Sequence, residues 1–545
     1  MTALADHLII APVVLPLLAG AAMLAFGGDG RRRVSSAINV TSTLALAGIA
    51  LALLLACDAS PAGMLGVYRL GDWPAPFAIV LVADRLSTLM LLLTSLLATA
   101  AVVFSLARWH RAGAHFHSLF QFLLTGLNGT FLTGDLFNLF VFFELLLAAS
   151  YGLALHGSGP ARVRAGLHYV VVNLAASLLF LIGVSLIYGV SGTLNMADLA
   201  ARIPAIRPED RALLETGAGL LGIAFLVKAG MWPLCLWLPA TYAAASPPVA
   251  SVFAILTKVG AYVVLRLWLL LFGDGAGSSA QLGSDWLLVG GLATVAFGAI
   301  CTLASQDMPR LAASSVLVSS GTVLAATGMA QVDITGGVLF YMVSSTLGIG
   351  ALFLLIELIE RGREPGADVI AVTREVYGED FDSEGEVEVV GLVVPATMGM
   401  LGIAFIGCGL VIAGLPPLSG FIAKVALLGA ALSPPAASEG ASVPVASWVL
   451  LIVVIVSGLA ALIAITRAGI RTFWASPDRV VPDVQLVEVA PVAALLLLCV
   501  IQTTHAGPIM RFMESAAQSL HAPGDYVRGV LGTPVLPRAP QGSGR

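Results

Sequence analysis

Apolar residues in this chain run together in stretches of about 18 residues or more, the length that reads as a bilayer-spanning helix. The runs fall at 8–27, 34–56, 86–107, 116–133, 135–155, 167–189, 216–238, 248–272, 286–304, 311–329, 335–359, 391–431, 446–470 and 486–505. This predicts an all-α integral membrane fold with about fourteen transmembrane helices. Two runs contain helix breakers. The run 391–431 is too long for one straight span and holds Gly414-Leu-Pro-Pro-Leu-Ser-Gly420; the run 216–238 is interrupted at Met231-Trp-Pro and Trp237-Leu-Pro. Both are therefore expected to be broken helices.

Composition agrees with the pattern. Apolar residues make up 58% of the chain, charged residues 11%, and the mean hydropathy is +0.96, against about 25% charged residues in a soluble domain. A stand-alone soluble enzyme is excluded, and no nucleic-acid partner is expected. Arginines at 31–33, 108, 111, 162, 164, 310, 361, 363, 467, 471 and 479 fall on one side if the spans alternate. The positive-inside rule makes that side cytoplasmic and turns both termini outward. Arg202, Arg207 and Arg211 oppose this from a long, acidic loop, which counts less. The first run lacks a basic leader and reads as a retained span.

Cofactor and metal chemistry find no support. The five cysteines stand singly at 57, 235, 301, 408 and 499 without a CxxC pair, and read as apolar packing residues. Gly217, Gly219 and Gly222 match GxGxxG but lie inside an apolar helix with no preceding strand. No Walker motif is present. Residues 360–390 carry ten acids and read as a solvated loop; the Pro/Gly-rich tail 506–545 reads as loosely ordered.

Candidate chemistry lies in the membrane charges. The chain has three lysines, Lys228, Lys258 and Lys424, and all three fall inside spans, whereas the loops use arginine. Each such charge costs roughly 2.5–3.5 kcal/mol at mid-bilayer on insertion scales and needs a partner, water or a function. A buried lysine can exchange protons near neutral pH; an arginine cannot. Snorkelling to a helix end is the plainer reading. Lys258 lies too deep in its span for that, and the other two sit beside the helix breaks. Glu144 is the matching acid. Its own helix offers Phe140, Val141, Leu147 and Ala148 at the facing positions, so its partner must come from another helix, with a lysine the obvious candidate. His115, His117, His156 and His168 gather near cytoplasmic ends and read as interfacial residues.

Several segments resemble the D subunit of the multi-subunit Mrp (Mnh) Na+/H+ antiporter: Leu127 through Glu144, Gly71-Asp-Trp-Pro-Ala-Pro-Phe77, Val82 through Leu86, Phe225-Leu-Val-Lys228 through Leu236-Trp-Leu-Pro239, and Gly414 through Phe421 with Lys424. The resemblance covers roughly residues 8–505 and extends to the antiporter-like subunits of complex I. It implies helices 1–3 over 1–115, two inverted five-helix repeats over 116–273 and 286–474, and a last helix with a polar tail over 475–545. It also implies a hetero-oligomeric complex with other Mrp subunits in the cytoplasmic membrane of a prokaryote, exchanging protons for Na+. Proton translocation would use Glu144, Lys228, Lys258 and Lys424, with no cofactor and no metal. One position departs from the pattern. Many superfamily members have a polar or histidine relay residue on the tenth helix where this chain has Ser319, so a water-mediated gap is expected there. Two rivals remain open on the sequence: a proton-pumping subunit of a redox complex, and a structural scaffold.

Overall fold

Helix starts are fixed by short polar side chains that an apolar run does not reveal. Asp84 and Ser87 form a capping box; Asp135, Asn195 and Asp307 each accept from backbone N–H groups of the first turn that follows them. The computed structural model describes residues 7–25, 32–60, 63–113, 115–362, 395–433, 442–473 and 482–532, and among them it holds nineteen α-helices and one two-stranded hairpin. The acidic stretch 363–394 lies outside the described residues.

A helix lies at each of the fourteen expected apolar runs. In chain order they begin with α1 (Ala11–Ala25), α2 (Arg32–Ala59), α3 (Arg85–Ser105), α4 (Phe116–Leu132), α5 (Leu136–Ala154) and α6 (Pro160–Ser191). A short α7 (Met196–Arg202) precedes the broken seventh span, α8 (Pro208–Ala229) with α9 (Leu238–Ala244). Then come α10 (Pro247–Phe272), α11 (Ser284–Ala304), α12 (Met308–Gly328) and α13 (Val332–Glu360). The broken twelfth span is α14 (Ala396–Ala413) with α15 (Ser419–Leu432), followed by α16 (Val445–Phe473) and α17 (Leu486–Thr504). Twelve of these helices are long and apolar enough to cross a bilayer; α1, α4 and α15 are shorter, with 15, 17 and 14 residues.

Burial is greatest in α10 and α13, each 94% buried over its most apolar window, and the two pack against each other at the centre. The flanking helices turn large apolar side chains outward, among them Leu18, Leu178, Ile403 and Ile452. Such a surface suits hydrocarbon rather than water. Two of the arginine-bearing ends meet on one face. Arg361 after α13 reaches Glu488 at the start of α17 at 2.7 Å, and Arg108 after α3 approaches the same carboxylate at 3.9 Å.

One short hairpin, β1 (Met64–Arg69) paired antiparallel with β2 (Val80–Asp84), accompanies the all-α membrane fold. One expectation needs correction. The tail is not loose from its start. Residues Ala506–His521 form α18 and Gly524–Leu531 form α19. Met513, Ala516, Ala517 and Leu520 recur at helical spacing and are buried, with α18 against α13. Val530 of α19 joins a small apolar cluster with Ala78, Val80, Val82 and Ala197. Hairpin, α7 and α19 thus make one cap at the end opposite the arginines.

Candidate functional site

Polar residues recur every fourth position along one face of α6. Tyr169, Asn173 and Ser177 stand one above the other in an otherwise apolar helix and are buried. Lys228, at the end of α8, donates to the Tyr169 hydroxyl at 3.2 Å and to Asn173 Oδ1 at 3.4 Å. Its ammonium lies 5.3 Å from the centre of the Tyr169 ring and 5.7 Å from that of Phe143, close enough for cation–π attraction. The Tyr169 hydroxyl also meets Ser150 Oγ at 2.7 Å. One turn along the face, Ser177 donates to the Glu144 carboxylate. The expected partner of Glu144 from another helix is therefore a hydroxyl. Glu144 and Lys228 bind neighbouring rungs of α6 rather than each other.

The broken seventh span leaves backbone groups that a bilayer cannot satisfy, and the protein satisfies them. Gly230, at φ 70°, ends α8 in the left-handed region that favours glycine. Trp232 N–H donates to Thr294 Oγ1 at 2.8 Å, Trp237 Nε1 donates to the Val227 carbonyl at 3.2 Å, and Ser320 donates to the Ala229 carbonyl. Ser320 thereby ties α12 to the residue after Lys228.

Its neighbour Ser319 serves the next lysine. Lys258, near the middle of α10, donates to Ser319 Oγ at 2.7 Å, and Ser319 meets Ser345 of α13 at 2.7 Å. A cavity sized for about one water molecule is lined by Ser319, Ser344, Ser345, Tyr341 and Ser457 and borders Gly420. On its far side Ser344 meets Ser419 of α15 at 2.7 Å. Lys424, on the same helix, donates to the Ala413 carbonyl at 2.7 Å, the last turn of α14 before the second break. Gly414, at φ 76°, ends that helix as Gly230 ends α8.

The four residues singled out from the sequence thus form an interrupted polar seam of local contacts: half-buried Glu144 with Ser177, Lys228 with Tyr169 and Asn173, Lys258 with Ser319 and on to Ser345, and Lys424 with the Ala413 carbonyl. Sequence reasoning missed Tyr169, Asn173, Ser177, Ser344, Ser345 and Ser419. The period-four polar stripe on α6 was the signal available for the first three. Of the histidines, His117 meets Asn39 at 2.7 Å and His156 meets the Trp109 carbonyl at 2.8 Å, both buried, while His115 and His168 are exposed. These contacts link them to the N-terminal helices and not to the lysines.

Residues 133–438 match the family profile described as NADH:quinone oxidoreductase/Mrp antiporter, TM. The chain is 58% identical over 537 residues to the probable K+/H+ antiporter D subunit of Rhizobium meliloti, covering 98% of this chain and 99% of that one. It is 32% identical to the Na+/H+ antiporter D subunit of Alkalihalophilus pseudofirmus, over 96% of this chain and 99% of that one. Among solved structures it superposes on a chain of the Mrp complex from Dietzia sp. DQ12-45-1b with a TM-score of 0.81 at 26% identity, covering 97% of this chain and all of that one. A chain of an archaeal membrane-bound sulfane sulfur reductase shares the fold, with a TM-score of 0.80 at 22% identity and 97% of this chain and all of that one covered.

Proposed function

The chain belongs to the NADH:quinone oxidoreductase/Mrp antiporter family, and from that we propose that it is the D subunit of a multi-subunit monovalent cation/H+ antiporter and carries protons for it. It works with other subunits of the complex, by secondary antiport, in the cytoplasmic membrane of a bacterium, arginine-rich face inward. The observation that carries this reading is the seam itself. Four ionisable residues in a bilayer-spanning protein are costly, and here each is held by a hydroxyl, an amide or a backbone carbonyl instead of standing unpartnered in apolar packing. Glu144 and Lys228 exchange a proton through α6, Lys258 is the central carrier, and Lys424 is the last. Residues 116–273 and 286–474 act as two repeats. In support, each has five spans, its third is a long helix (α6 of 32 residues, α13 of 29), and its fourth is broken next to a lysine.

The exchanged cation is K+ in our reading, because a full-length relative 58% identical to this chain carries that name; Na+ is the rival. The test is proton movement in everted vesicles holding the whole complex, driven by K+ or by Na+. K+ is expected to drive it in the parent. Glu144→Gln and Lys228→Ala each abolish it while the complex still assembles. Normal exchange rates in either variant remove the coupling assignment, and a response to Na+ alone replaces the cation.

A further inference from the structure

A further buried cation, Arg266, lies in a span and off the seam. It shares a face of α10 with Lys258 and Tyr262, one turn apart at each step. Read from Lys258, this face climbs away from the arginine-rich ends to the cap at the opposite, outer end of the molecule. Tyr262 donates to the Phe131 carbonyl at 2.6 Å, and Arg266 Nη2 lies 3.5 Å from the Tyr262 hydroxyl. A line of polar groups therefore leads from the central lysine toward the outer surface. Followed to its end, it would discharge protons without any exchange for a cation.

The line stops at a closed ion pair. Both arms of the Arg266 guanidinium reach Asp84, with Nη2 at 2.7 Å from Oδ1, and Oδ1 also accepts the Ser87 backbone N–H at 2.9 Å. Asp84 belongs to β2, outside the spans. Burial pushes its carboxyl up, but the Arg266 guanidinium and the Ser87 hydrogen bonds outweigh this and hold it below the ordinary carboxylate value. The Tyr526 ring of α19 covers the guanidinium from outside, 5.5 Å away, as Tyr262 does at 5.7 Å from within. A cavity lined by Asp84, Arg266, Ser519, Asp525 and Tyr526 lies at this cap.

We propose that Arg266, clamped by Asp84 and roofed by Tyr526, is the outer seal of the proton path, forcing protons on Lys258 to leave sideways through Ser319. A guanidinium is a donor at every nitrogen and holds its proton throughout the physiological range. It offers no lone pair to an incoming proton, so a chain of hops ends on it. Asp84, the acceptor beside it in this clamp, has both oxygens engaged. The C-terminal helices are then a working part of the subunit, because α19 brings Tyr526 to the guanidinium.

This inference rests on Lys258 being a proton carrier, and the two are tested apart. Lys258→Ala alone, assayed for cation-driven exchange, tests the carrier. The seal is tested by Arg266→Lys in the whole complex, reconstituted in vesicles free of K+ and Na+, following the decay of an imposed pH gradient. Lysine keeps the ion pair with Asp84 but can release its proton and leaves room for water. The expected result is a several-fold faster decay than in the parent, returned to the parent rate by adding Lys258→Ala. A purely structural ion pair predicts parental decay in Arg266→Lys, which overturns the seal. Faster decay that survives Lys258→Ala also overturns it, since the leak then bypasses the central lysine. Should Arg266→Lys fail to assemble, Tyr526→Ala, outside the spans, is judged by the same two outcomes.

Discussion

Ser319 stands between a buried ammonium and a second serine, and it has one hydroxyl with which to serve both. A hydroxyl can accept from Lys258 while donating to Ser345, and can reverse the second bond by rotating. It needs no charge of its own to pass a proton. Removing the partner of a buried charged donor costs about 1.5–3 kcal/mol, so Ser319→Ala is expected to slow cation-driven exchange by about tenfold or more per assembled complex. Ser319→Thr, which keeps the hydroxyl, is expected to retain most of the rate. Equal rates in parent and alanine variant, measured as gradient dissipation in vesicles, would remove Ser319 from the proposed path. The same logic explains why Glu144 is easy to find in the sequence and its partner is not. A lone carboxylate in an apolar run is conspicuous by its cost, whereas Ser177 is a small polar residue that helices tolerate in many places.

At the scale of elements, the path depends on how closely α8 and α10 approach. A Cβ at Gly260, two residues after Lys258, would lie 2.5 Å from the Ala229 backbone nitrogen and 2.7 Å from the Phe225 carbonyl oxygen. Backbone contact of this kind brings the turns carrying Lys228 and Lys258 together. Gly260→Ala therefore has to push the two helices apart, and overpacking of this kind costs about 1–3 kcal/mol. A fall of several degrees in the thermal midpoint of the complex is expected, together with slower exchange. An unchanged midpoint would mean that the approach is not tight. The apolar runs make the spans legible, and proline with glycine makes both breaks legible. The run 216–238 falls short of the whole seventh span because its second half, Leu238–Ala244, lies beyond a stretch of aromatic and proline residues that no hydropathy window credits as helix. Helices α18 and α19 escape the sequence reading for a different reason. The composition of the tail is averaged over residues 506–545, and the glycine and proline beyond α19 hide an amphipathic spacing at its start. Hairpin strands of five and six residues between spans give too short a pattern to register.

The whole molecule sets the seam's direction. Lys258 sits near the middle of α10, while Lys228 and Lys424 adjoin the breaks at which α8 and α14 stop and their spans resume as α9 and α15. The proposed path puts the three lysines at similar depth, and its Lys258–Ser319–Ser345 step runs from helix to helix rather than along any one helix. A charge moving across the full membrane gains or loses about 2.3 kcal/mol per 100 mV, but a charge moving parallel to the membrane plane gains almost nothing. Voltage should then act where protons and cations enter and leave, and hardly at all on the lateral steps. Antiport by the complex is expected to respond to an imposed potential. Ser319→Ala, which slows a lateral step, is expected to lower the rate at every voltage by the same factor. Exchange measured against clamped potential in parent and variant gives two curves on a logarithmic rate scale. Parallel curves agree with a lateral seam. A change of slope in the variant would mean that the step from Lys258 to Ser319 crosses part of the field, and that the path tilts through the membrane instead of lying along it.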